Sequence, residues 1–98
     1  MPVYLGETCR LKHKFYDFEG NVVSPSTHQI EVYDPDGTKI AESTEPTWDA
    51  TNELFVYVFT IPADGKAGTY TAIWKAQDAA TGYSWIEEIQ FAVQKTSK

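Results

Sequence analysis

Apolar and polar residues alternate with a period of two along most of this chain, the period of a β-strand whose side chains point in turn to its two faces. No window keeps apolar residues at i, i+3, i+4 and i+7, so no helix is predicted. "VYL" at 3–5 predicts a short first strand. In "ETCRLKHKFYD" at 7–17, Cys9, Leu11, His13 and Phe15 alternate with Arg10, Lys12, Lys14 and Tyr16. "HQIEVYD" at 28–34 sets Ile30 and Val32 against Gln29, Glu31 and Tyr33, and "TKIAE" at 38–42 predicts a returning edge strand. "ELFVYVFTIP" at 53–62 is apolar on both faces: Phe55, Tyr57, Phe59 and Ile61 on one, Val56 and Val58 on the other. "TYTAIWKAQ" at 69–77 puts Tyr70, Ala72, Trp74 and Ala76 together, and "YSWIEEIQFAVQK" at 83–95 does the same for Ile89, Phe91 and Val93.

Turn residues separate these runs. "FEGN" at 18–21 and "DAATG" at 78–82 predict turns, and "ADGKAG" at 63–68 predicts a loop. "DPDG" at 34–37 is the sharpest signal, because Pro35 presets φ and Gly37 accepts a positive φ. Residues 43–52 are polar apart from Trp48 and are predicted as a loop, and 95–98 as a loose tail. About seven short strands with turns every 8–12 residues fit an antiparallel sandwich or barrel. The 98 residues are the length of one domain, 1–98.

Charge and cysteine content narrow the function. The net charge of −6 repels phosphate backbones and anionic lipid, so neither nucleic acid nor a membrane surface is an expected partner. Arg10, Lys12 and Lys14 form a local basic stripe and are a candidate electrostatic contact. Cys9 is the single cysteine, so no intrachain disulfide can form. No apolar run approaches the length of a membrane span, and no basic and apolar leader follows Met1. The expectation is a chain made in a cytoplasm.

Motifs for catalysis or metal binding are weak. His13, His28, Asp17 and Glu19 lack metal-ligand spacing. Cys9 and His13 share a strand face but lie about 13 Å apart along it, too far for a nucleophile and its base. "DPDG" lacks the distal ligands of a calcium loop, and "DGKAG" lacks the spacing of a phosphate loop. Glu87 and Glu88 point to opposite faces. The chain is therefore read as non-enzymatic, with no cofactor, metal or small-molecule substrate. Aromatics are the unusual component, at 14 %. Tyr33, Trp48, Val56, Val58, Tyr83 and Trp85 are hard to bury together and form the candidate partner interface.

"FYDFEGNVVSP", "EVYDPDG", "FTIPADGKAGTY" and the terminal "FAV" occur in that order. Together they resemble the immunoglobulin-like (Ig-like) sandwich modules of bacterial surface proteins, macroglobulin-type domains and tailed-phage proteins. The resemblance implies an all-β, Ig-like Greek-key sandwich. It also implies that the hydroxyl of Tyr70 bonds nearby backbone as a tyrosine corner. As a single module beginning at Met1, the chain is most similar to small structural proteins of tailed-phage virions. That implies assembly in many copies at the head–tail neck as a connector, or on the capsid surface as decoration. The partners would be capsid, portal or neck proteins and further copies of the chain. The alternative is an adhesion or glycan-binding Ig-like module from a longer exported protein.

Overall fold

A computed structural model describes residues 3–96. Its ten strands are β1 (Val3–Tyr4), β2 (Thr8–His13), β3 (Phe15–Tyr16), β4 (Val22–Val23), β5 (Thr27–Tyr33), β6 (Lys39–Ser43), β7 (Thr47–Asp49), β8 (Leu54–Thr60), β9 (Gly68–Gln77) and β10 (Ser84–Gln94). Five form one sheet in the order β1-β10-β9-β5-β6, and three form a second in the order β2-β8-β7. β3 and β4 make a separate two-residue ladder. The chain changes sheet between β6 and β7 and again between β8 and β9, as Greek-key connections do. The fold is an all-β sandwich, as the alternation predicts.

The two large sheets close over one core. Trp74, Tyr70, Phe15, Phe55, Ile30, Ile61 and Val32 are its largest fully buried side chains. β9 is central, and its inner face alternates large and small as Tyr70, Ala72, Trp74 and Ala76, all buried. Ala72 and Ala76 leave room for the rings between them. Ile30 pairs with Trp74, and Val32 with Ala72, which fixes the β5 register by the same apolar face.

The turns follow their local chemistry. Asp34 Oδ1 accepts hydrogen bonds from the amides of Asp36 and Thr38, each 2.9 Å, and Gly37 leaves the turn at φ 84°. Tyr70 donates its hydroxyl to the Lys66 carbonyl at 2.7 Å, which is the corner geometry the resemblance implies. Gly68 (φ 143°) brings the 63–68 loop against this turn, and a Cβ there would meet Pro35 Cγ at 2.9 Å.

Three expectations change. The run 7–17 is two strands, because the β2–β8 ladder stops at the His13–Phe55 pair. The chain then leaves that sheet at Lys14 and restarts as β3. Residues 43–52 contain β7, which pairs with the free edge of β8. Ile89 and Phe91 are half-buried, because a three-stranded sheet cannot cover the whole inner face of a five-stranded one. Of the tail, Lys95 and Thr96 lie beyond β10, and the rest falls outside the described residues.

Candidate interaction surfaces

The most exposed large apolar side chain sits on the turn of the β3–β4 hairpin. Phe15 points inward, so Tyr16 points outward and Asp17 begins the turn. Asp17 Oδ1 accepts from the amides of Glu19 and Asn21, both at 2.9 Å. The Asp17 amide donates to the Asn21 carbonyl, and the Gly20 amide to the Asp17 carbonyl. These bonds, led by the one from Asn21, hold the Asp17 carboxyl below its usual range. Phe18 stands at the apex, 88 % exposed. Its ring lies 4.8 Å from that of Tyr83, which lies 6.3 Å from that of Trp85. Trp85 Nε1 donates to the Tyr16 carbonyl at 2.8 Å, fastening the hairpin to β10. A cleft of about 180 Å³ runs beneath these rings, with Asp17, Glu19 and Asp78 on its rim.

A second surface is the outer face of β2-β8-β7. Arg10 is paired with Val58 and Lys12 with Val56, so these four side chains share one face. Val58 is 52 % exposed. Arg10 and Lys12 are exposed, and no ion pair found among the described residues includes either of them. An open groove of about 660 Å³ crosses this face, floored by Val56 and Val58 and walled by Pro46 and Thr47. Lys14 falls in the break between β2 and β3 and is half-buried, so it is not on this stripe.

The other candidates lie elsewhere. Tyr33 is on the outer face of the five-stranded sheet, where its hydroxyl donates to Glu31 Oε2 at 3.1 Å. Lys39 and Lys75 sit 3.3 and 3.2 Å from the same carboxylate, and these partners, Lys75 first, hold it below its usual range. Trp48 of β7 pairs with Phe55 of β8, ring to ring at 4.9 Å. The six residues therefore occupy four places. Phe18 and Tyr16 were not singled out by the sequence reading. The signal was a Phe at a turn apex, between Asp17 and Glu19.

The donors for chemistry are dispersed. The His13 ring meets Phe15 edge-on at 4.7 Å and stacks over Trp74 at 6.0 Å. Burial lowers its pKa from the ordinary 6.5, partly offset by Glu87. The His28 ring packs 4.2 Å from Phe55, with Nδ1 3.4 Å from the Pro25 carbonyl. Cys9 is buried, and burial raises its thiol pKa. Among the described residues, no group of three or more His, Cys, Asp or Glu could hold a metal ion.

The His13 environment sets a pH dependence. Folding favours its neutral ring, so as pH falls below about 6.5 the unfolded chain takes up the proton first. The stability this contributes is present above that pH and is lost as pH falls through the lowered folded value. Urea midpoints measured from about pH 7 to about pH 5 should fall more steeply for the wild type than for His13→Gln. Parallel slopes would show that His13 does not titrate differently on folding.

The fold is a small Ig-like β-sandwich. The chain belongs to the CopC domain family, which matches residues 16–94. No curated protein and no solved structure matches the chain. CopC proteins are copper-binding, non-enzymatic and exported to the periplasm. This family overturns the tailed-phage expectation, both as a structural protein of the neck or capsid surface and as a component of a virion made in a host cytoplasm. The reason is physical. "DPDG", "FTIP" and "GTY" specify turns, core positions and a tyrosine corner, which any sandwich of this type needs whatever its task.

Copper asks for imidazole, thiolate or thioether donors converging on one point. The described residues do not fit it. Both imidazoles are packed on aromatic rings, the thiol is buried, and no third donor joins them. The single methionine, Met1, lies outside the described residues.

Proposed function

We propose that the chain is a non-enzymatic binding module of the CopC fold that works by protein contacts at its β3–β4 tip, in the exported compartment of its family, and independently of copper. One observation carries this reading: Phe18 is held out in water, 88 % exposed, on a turn closed by two side-chain-to-amide bonds. A ring so placed contributes nothing to the core, and exposed apolar surface on an ordered frame marks a contact site. The neighbouring rings are tilted by 54° and 78° to one another, so they offer a corner rather than the flat platform that a sugar face would need.

The test is a photo-crosslinking amino acid at position 18, with one at Gln90 on the outer face of the five-stranded sheet as control. In cells producing the protein, position 18 should give discrete protein adducts and position 90 should not. No adduct at 18, or the same adducts at both, overturns the contact reading. Titration of the purified chain with Cu(II) and Cu(I), followed by tryptophan fluorescence, should show no stoichiometric binding. Stoichiometric binding in competition with a weak chelator overturns the copper-independent part.

A further inference from the structure

We infer that the occupant of the tip is a second copy of this chain, which receives Phe18 in the groove on the outer face of β2-β8-β7. This rests on the tip being a contact site, as proposed above. The two surfaces are complementary in shape and sign. The tip is convex: an exposed ring between the carboxylates of Asp17 and Glu19. The groove is concave: Val56 and Val58 form its floor, and Arg10 and Lys12 its β2 side. Neither Arg10 nor Lys12 has an ion-pair partner within 4 Å among the described residues; Lys12 acts on Asp49 from across the groove, and Arg10 is the freer of the two to meet Asp17 or Glu19. Opposite the basic side, Glu45 and Asp49 line the groove, so one wall is acidic and the other basic. That asymmetry fixes the orientation, with the acidic tip leaning to the β2 side.

The net charge of −6 opposes self-association at long range. Screening decides against it, because the Debye length is about 8 Å at physiological salt, so only charges close to the contact matter. There the signs are opposite. Tip and groove are different patches, so the contact is heterologous and a pair of copies keeps one free tip and one free groove. Such contacts propagate into chains or close into rings.

Two exposed substitutions break one surface each: Phe18→Glu the tip, and Val58→Glu the groove floor. Both leave the core untouched, and circular dichroism should confirm folded chains. In light scattering across a concentration series at physiological salt, the wild type should rise above dimer mass. Each variant alone should stay monomeric. Mixed one to one, they retain one intact tip and one intact groove, and should form a dimer and stop there. A monomeric wild type, a variant that still associates alone, or a mixture that stays monomeric overturns the inference. If position 18 crosslinks to a different protein and the wild type remains monomeric, the tip stands as a contact site and only its occupant changes.

Discussion

Trp74→Ala should lower the unfolding free energy by about 3–5 kcal/mol, the usual cost of deleting a large buried aromatic. Trp74 is fully buried at the centre of β9, against Ile30 in register and His13 in a stack. Small neighbours surround it: Ala72 and Ala76 on its own strand cannot extend into the space it leaves. A domain of this size has about 5–15 kcal/mol in total, so the variant should lose a large share of its stability. Urea denaturation followed through Trp48 and Trp85 measures the change. Trp74→Phe makes the comparison informative. Trp74 Nε1 is buried with no hydrogen-bond partner, and such an unmet donor costs about 1–3 kcal/mol. Phenylalanine removes that donor while leaving a smaller cavity, so its loss should be far below that of alanine. Equal losses for the two would show that ring volume is not what Trp74 contributes.

Phe55→Ala should have an effect of similar size, about 3–5 kcal/mol, with a second consequence that Trp74 lacks. Phe55 is buried where three elements meet: its ring touches those of Phe15, His28 and Trp48. Trp48 is the one large side chain on the three-residue strand β7. Without Phe55 it loses its inner neighbour, and β7 should come away from β8 before the rest of the sandwich opens. Tryptophan emission should therefore shift to the red at urea concentrations where the circular dichroism is still native. Phe55→Leu keeps most of the volume and should cost less than half as much. Coincident fluorescence and dichroism transitions in Phe55→Ala would show that β7 stays attached without this ring.

Much of this architecture is legible in the residues themselves. The inner faces of β5 and β9 follow from Ile30 and Val32, and from Tyr70, Ala72, Trp74 and Ala76, because burial on one side of a strand enforces a period of two. The tight turns follow from Asp34 and Gly37, and from Asp17 and Gly20, whose conformations have local chemical causes. β7 was not legible: three residues are too few to show a period, and what makes them a strand is the vacant edge of β8. The break at Lys14 was hidden for the same reason, since it is set by where the ladder to β8 stops, at Phe55, about forty residues further along.

The candidate surfaces divide in the same way. That Arg10 and Lys12 share a face with Val56 and Val58 depends on the β2–β8 register, which no local pattern fixes. That Tyr83 and Trp85 belong with Phe18 depends on the hairpin folding back to β10. The exposed Phe18 was read only as part of a turn, because turns are recognised by their Gly, Asn and Asp and the ring between them carries no conformational signal. The phage expectation failed at a different level. It took a task from a fold, and a sandwich of this kind carries many tasks.

The burial of Cys9 has a consequence for its oxidation. Its side chain faces the core, 8 % exposed, and burial raises the pKa of its thiol, so little thiolate forms at neutral pH. The thiolate is the form that oxidants and other thiols attack. A folded copy is therefore protected from sulfenic acid formation and from random cross-linking to its neighbours in an oxidising environment. Only the unfolded chain exposes this hazard, which places the vulnerable moment before folding rather than during service.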